Sequence, residues 1–289
     1  ERKIGDVVIS WENNLGTPVN DAVIVAKLEG TQIAGESIKT NDGFYRSADK
    51  AVLWDKNTTK GALTTLAPGA KGSVSFTMQI PSTETLGSAR NPQVTISIQA
   101  AGKRIGQTGV PETLQSTAVR TVKIASDVQI KADGLYYGNP FGSRGPIPPQ
   151  AGEETTYAIV FTLRNSTNQI SNAKLKAILP PYVRWVGIYS PSSERMEFKS
   201  TDSSVEWNIG NISAGTGSGG GIPRQVAFAI GFTPSTSQVG DEAILLQSIV
   251  LTGTDAHTGK AVSKSVTAVS SDLSQSDPGF PANGGTVVP

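Results

Sequence analysis

His257 is the single histidine of the 289-residue chain, and it stands two positions after Asp255. An imidazole beside a carboxylate can activate a nucleophile when burial orients the base against it. Here the pair lies in Gly253-Thr254-Asp255-Ala256-His257-Thr258-Gly259, a polar segment between two strand-like runs, so a plain turn is expected. Zinc sites need several imidazoles or thiolates, and the chain has no cysteine. That absence also removes disulfides, iron–sulfur clusters and cysteine nucleophiles. Gly217-Ser218-Gly219-Gly220-Gly221 invites comparison with a phosphate-binding loop, but no Gly-Lys-Ser/Thr follows and Ile222-Pro223 opens a strand. Glu194 and Glu197 are close in sequence without the geometry of a cleft. Asp127, Asp133, Asp272 and Asp277 do not have calcium-loop spacing and read as solvated linker acids. No catalytic residue, cofactor or metal ligand is assigned, and a non-enzyme is expected.

The residues that remain are aromatic. Tyr136, Tyr137 and Phe141 sit in a Gly/Pro-rich stretch, 133–150, with no alternating context. Tyr182, Trp185 and Tyr189 follow in the next half of the chain. These six form the candidate interaction surface: they could stack on a sugar or a neighbouring chain, and the favoured role of the first three is a wedge between domains. Trp54 and Trp207 occupy equivalent places in a repeat and are expected in the core. Asn57, Asn165 and Asn211 begin glycosylation-type triplets. A Lys–Asn isopeptide would need a buried lysine, which sequence does not reveal.

Strands must position these groups. Val74, Phe76, Met78 and Ile80 alternate with polar residues, as do Val94, Ile96 and Ile98, then Tyr157, Ile159, Phe161 and Leu163. A period of two puts each apolar set on one buried face. The best helical piece is one turn, Ser82 to Leu86. Glycine (31) and proline (17) make up about one residue in six and punctuate the runs, while charged residues reach only 17%; helical bundles and charged disordered tails are excluded on that basis. Net charge is +1 with no basic stripe, so nucleic acid is not an expected partner. No apolar run is long enough to span a membrane.

An internal repeat organises the chain. Ile9-Ser10-Trp11-Glu12-Asn13 matches Phe161-Thr162-Leu163-Arg164-Asn165, and Val52-Leu53-Trp54-Asp55 matches Val205-Glu206-Trp207-Asn208. Leu66-Ala67-Pro68-Gly69 parallels Ile212-Ser213-Ala214-Gly215, and Val74 to Met78 parallels Val226 to Ile230. The expected organisation is a first domain over 1–126, a second over 127–275, and a flexible tail over 276–289. The second copy carries an extra first strand in 127–150 that the first copy lacks. The opening at Glu1, directly ahead of a strand, is read as a processed or truncated product whose export signal or anchor lies elsewhere.

These motifs resemble the immunoglobulin-like conserved-repeat domains found in tandem in bacterial and archaeal surface proteins. The likeness rests on the strand ending in Asn165, the Ile178-Leu179-Pro180 step, Trp207-Asn208-Ile209-Gly210, and the turn Ile212 to Gly215. The first copy carries it as Trp11-Glu12-Asn13-Asn14, Trp54-Asp55-Lys56 and Leu66 to Gly69. The copies depart from the pattern in the missing Leu-Pro step after Lys27-Leu28 and in Ala214 where proline is usual. The resemblance implies an all-β fold of two tandem immunoglobulin-like antiparallel β-sandwich domains. It further implies a non-catalytic structural or adhesive module at the cell surface or outside the cell. Its partners would be other repeats or neighbouring subunits, as in a filament or envelope layer. Two readings of the chain ends are weighed: segment 272–289 of one copy could complete the first domain of the next, or, the favoured reading, both ends are cut from a longer repeat array. A carbohydrate-binding module using the six aromatics is the alternative, with glycans as partner.

Overall fold

In a computed structural model, residues 4–30, 35–82, 86–104 and 112–289 are described. The expected turn of helix at 82–86 includes 83–85, which lie outside the described residues. The chain divides into two compact units, Glu1–Ile124 and Ala125–Pro289; from sequence the division was expected after Ser126.

The first unit runs through β1 (Ile4–Glu12), β2 (Val19–Gly30), β3 (Lys39–Thr40), β4 (Phe44–Arg46), β5 (Ala51–Trp54), β6 (Thr65–Leu66), β7 (Lys71–Gln79), β8 (Gln93–Lys103) and β9 (Thr113–Lys123). One sheet is β1-β7-β3; the other is β4-β5-β2-β8-β9, with β6 on β2. The second unit contains β10 (Val128–Leu135), β11 (Thr155–Asn165), β12 (Ile170–Ile178), β13 (Val183–Ser190), β14 (Met196–Lys199), β15 (Ser204–Ile212), β16 (Arg224–Phe232), β17 (Ile244–Asp255), β18 (Ala261–Val266) and β19 (Val269–Ser270). Its sheets are β10-β11-β16-β13 and β14-β15-β12-β17-β18, with β19 on β17. Every strand pairing is antiparallel. The fold is all-β, and each unit is a two-sheet sandwich.

The repeat is exact in register. Ile9 lies opposite Val74, and Phe161 opposite Val226, each pair 152 positions on from its counterpart. Ile24 faces Ala100 as Leu175 faces Leu251. Both cores follow from the two-residue period: inward side chains of the facing sheets meet. Trp54 and Trp207 lie fully inside their cores, with Phe76 tilted beside the first and Phe161 stacked on the second. Burying a large apolar side chain of this kind contributes roughly 1.5–3 kcal/mol.

The strand-end asparagines explain why two sequence motifs recur together. Asn13 Nδ2 donates to the Thr17, Leu66 and Ala67 carbonyls at 3.0, 2.9 and 3.1 Å. Asn165 Nδ2 does the same toward Asn168, Ile212 and Ser213, at 2.7, 3.4 and 3.0 Å. A side-chain amide thus ties the end of one strand to the turn after another, satisfying buried carbonyls that the ladders leave open. Each turn closes on a glycine at positive φ, Gly69 at 75° and Gly215 at 85°, where a Cβ would be strained.

Residues 276–289, expected as a flexible tail, fold onto the second unit. Leu273, Phe280 and Val287 are buried in its core. Val287 N–H donates to Asp241 O at 3.0 Å and Val288 N–H to Pro149 O at 2.8 Å. The glycines and prolines that suggested a loose end let the chain turn, so three widely spaced apolar residues each reach the core. The exchange of 272–289 into a neighbour, the less favoured of the two readings, loses its ground here, because those side chains already fill their own domain.

Candidate functional site

The two units differ at one edge. In the second, β11 is flanked by β16 and by β10, whose register runs from Val128 opposite Asn165 to Leu135 opposite Ala158. In the first, the equivalent β1 pairs with β7 alone among the described residues. One side of β1 therefore presents unpaired backbone N–H and C=O groups. The packing changes with it. Tyr157, Ile159, Phe161 and Leu163 of β11 are fully buried, whereas the register equivalents Gly5, Val7 and Trp11 are only partly covered. Ile249 and Leu251 of β17 are buried, but the matching Ile98 and Ala100 of β8 are half-buried. Val8 and Ile4 on the outer face of β1 are 64% and 63% exposed, and Val119 on β9 is 61% exposed. In the second unit β10 packs beside β18 and β19, so a β10-type strand covers the flank that the first unit leaves open.

The six candidate aromatics fall into two sets, both within the second unit. Tyr136 packs edge-on against Tyr157 at 5.9 Å, and its hydroxyl donates to Gly145 O at 2.7 Å. Tyr137, 57% exposed, meets Tyr136 and Phe280 edge-on. Phe141 is half-buried in the same loop, its N–H donating to Asn139 Oδ1 at 2.9 Å. These contacts are made within the second unit, with Phe280 of the folded C-terminal segment as a partner that the sequence reading did not name. Trp185 and Tyr189 lie on β13, an edge strand, and Tyr182 in the turn just before it. Tyr182 packs on Phe232, while Trp185 stacks on Phe198 at 6.2 Å and tilts against Phe228 at 5.3 Å.

Asp277 is the latch beneath the first set. Its buried carboxylate accepts the backbone N–H groups of Tyr136 (2.7 Å), Tyr137 (2.6 Å) and Gly138 (2.9 Å). Replacing Asp277 with alanine leaves three donors without acceptors and is expected to cost about 2–4 kcal/mol. The check is limited proteolysis: cleavage within 136–150 and 276–289 should accelerate together. Unchanged cleavage at both segments would contradict the latch.

Two other buried carboxylates are equally committed. Asp255 Oδ2 accepts Ser126 N–H and Asn168 Nδ2, each at 2.8 Å, and Oδ1 accepts the His257 and Thr258 N–H groups, each at 2.9 Å. The expected Asp255–His257 proximity is real, but its recorded bond runs through the histidine backbone and shapes a turn. Glu194 accepts Trp207 Nε1 at 2.7 Å and a two-pronged bond from Arg224 at 2.7 and 2.8 Å. The Arg224 guanidinium lies over the Trp207 ring at 5.7 Å, a cation–π arrangement. Burial pushes both carboxyls up, but these hydrogen bonds outweigh it and hold both below their ordinary values. Carboxylates so held are weak proton acceptors and serve as braces.

Asp127, Asp133 and Asp272 meet Gln129, Lys131 and Ser274 respectively. Gly217 to Gly221 form the loop between β15 and β16, closed by Gly217 N–H to Ile222 O and Gly221 N–H to Ser218 O. Asn57 and Asn211 are exposed, whereas the Asn165 amide is buried and fully engaged. Every described lysine is exposed, so the buried lysine of a Lys–Asn isopeptide is not found among the described residues. Among the described residues, no helix is long and apolar enough to cross a membrane.

No family model matches the chain, and no curated protein matches it. Among solved structures it is similar to an antigen I/II-family domain and to major pilins. The C-terminal domain of the Streptococcus pyogenes antigen I/II-family protein AspA matches at 8% identity and a TM-score of 0.30, covering 93% of this chain and 92% of that one. The Bacillus cereus major pilin subunit BcpA matches at 10% identity and 0.34, covering 93% and 69%. The full-length major pilin SpaD from Corynebacterium diphtheriae matches at 9% identity and 0.32, covering 88% and 59%.

Proposed function

We propose that this chain is a non-catalytic structural and adhesive segment of a cell-surface protein, joined to its neighbours through the open edge of β1. The observation that carries the reading is the contrast in one register: β11 holds β10, and β1 holds no strand on that side among the described residues. The occupant is an extended strand of β10 chemistry, alternating apolar and polar and laid antiparallel to β1, from the segment leading into this unit or from a neighbouring repeat or subunit. Strand addition of this kind takes affinity from main-chain hydrogen bonds and specificity from alternate side chains. A contact between two different surfaces propagates into a filament unless its geometry closes a ring. The carbohydrate-module alternative has less support, because Tyr136, Tyr182 and Trp185 spend ring faces or edges on their own domain.

A synthetic peptide of sequence 128–135 tests the edge. It is expected to bind the whole chain with a dissociation constant of about 0.1–1 mM and to slow amide hydrogen exchange along β1. The same peptide carrying Ile130→Pro should have no effect, since proline removes a ladder donor. Exchange along β1 that is indifferent to the first peptide, together with a concentration-independent monomer in light scattering, would overturn the reading.

A further inference from the structure

The first unit holds a cavity of about 410 Å³, lined by Trp11, Asn41, Asp42, Trp54, Lys71 and Ser73 among others. Its origin is visible in the repeat. Trp54 is the counterpart of Trp207, which donates its indole N–H to Glu194 beneath Arg224. Carrying the β14–β15 pairing onto β4–β5 makes Asn41 the counterpart of Glu194. The β7 and β16 registers make Gly72 the counterpart of Arg224. Where the second unit has a long acid and a long base, the first has a short amide and no side chain, and the space remains open. Trp54 Nε1 is left buried without a hydrogen-bond partner among the described residues. It lies under the 41–43 loop, where a Cβ on Gly43 would collide with it. Trp11, opposite Gly72 on the neighbouring strand, lays its indole across that glycine at the cavity wall.

We infer that this cavity is a binding site for a neutral, polyhydroxylated ring: one sugar residue of a glycan. The inference goes beyond the structural role proposed above and does not depend on it. The lining decides the class. Asp42 only accepts, Lys71 and Trp54 only donate, and Asn41 and Ser73 do both. Asp42 lies 3.6 Å from Lys60 and Lys71 3.1 Å from Glu12, so neither presents a bare charge to the cavity, and hydroxyls that share these groups with their ion-pair partners fit better than an anion or a cation. Trp11, with Leu63 and Val74, supplies the apolar wall for the ring's carbon face. The volume falls at the small end of ligand pockets. A slight outward shift of the 41–43 loop on entry gives the buried indole N–H the acceptor it lacks.

The test follows the Trp54 indole N–H resonance of the whole chain, assigned through Trp54→Phe, during titration with methyl glycosides of the common hexoses and N-acetylhexosamines. At about 10 mM, above the millimolar affinity of a single ring held by few bonds, at least one glycoside should move it. Sodium acetate and ammonium chloride should not. Asp42→Ala, at an exposed loop position, should weaken binding about tenfold. The triple change Trp11→Leu, Asn41→Glu, Gly72→Arg installs the second unit's side chains and should abolish the shift while raising the melting temperature. An indole signal that no glycoside moves overturns the inference. So does a signal that moves with acetate, or binding that Asp42→Ala leaves intact.

Discussion

Replacing Asp255 with alanine is expected to lower the stability of the second unit by about 4 kcal/mol, the largest single-residue effect outside its apolar core. Its carboxylate is 1% exposed and takes four N–H donors from three separate stretches: Ser126 ahead of β10, Asn168 after β11, and His257 and Thr258 after β17. Alanine removes the acceptor and strands these donors in a region already dense with commitments. Ser126 Oγ donates to Asn165 Oδ1 at 2.7 Å and accepts the N–H groups of Thr167 and Asn168 at 2.9 and 3.1 Å. A shift of Ser126 would therefore loosen the Asn165 clasp as well. Asp255→Asn should lose less, since the remaining carbonyl oxygen still accepts. Because the folded carboxyl titrates below its ordinary value of 3.8, the contribution is complete above that pH and is lost as pH falls toward the folded value. A urea titration read at the Trp185 and Trp207 signals gives the measurement. A midpoint unmoved by Asp255→Ala would show that the network is not what holds this end of the sandwich.

The repeated strands and turns of this molecule were legible in the sequence, and so was the extra strand of the second copy, but the side-chain contacts in which the copies differ were not. Alternation gave the strands because each has one buried face, and the matched segments gave both sandwiches because register fixes which residues meet. The strand-end asparagines and the glycine turns stood out as separate motifs; that Asn13 and Asn165 physically join them needed the fold. The missing counterpart of β10 was readable as a length difference, and its consequence is the half-buried state of Ile98, Ala100 and Trp11. Segment 276–289 was misread because glycine and proline were taken as signs of looseness, while Leu273, Phe280 and Val287 are too far apart to show periodicity. The Asp277 latch connects residues about 140 positions apart, and no local pattern announces that. Glu194 was considered only beside Glu197. The informative comparison was with Asn41, along with Arg224 against Gly72, where the two copies part at positions that face one tryptophan.

That divergence supplies the second large effect. Glu194→Ala should destabilise the second unit by about 3 kcal/mol, toward the lower end for breaking a buried pair because the Arg224 side chain keeps 30% exposure against 9% for Glu194. Two groups lose their acceptor at once: the guanidinium and the buried indole N–H of Trp207. The same linkage applies as for Asp255. The folded Glu194 carboxyl lies below its ordinary value of 4.5, so its contribution is present above that pH and fades as pH drops beneath it. The first unit shows how the cost divides. Its Trp54 N–H has no partner among the described residues, yet the residue sits fully buried in the first core; the orphaned indole alone is tolerable. The greater share in the second unit should then come from leaving Arg224 without its counter-ion. Removing both charges in Glu194→Ala, Arg224→Ala ought to cost less than the sum of the two single changes, by about 1–2 kcal/mol of coupling. Chemical denaturation of the four proteins measures that coupling directly. Strict additivity would mean that the ion pair contributes nothing as a pair, and that Glu194 is retained for the tryptophan alone.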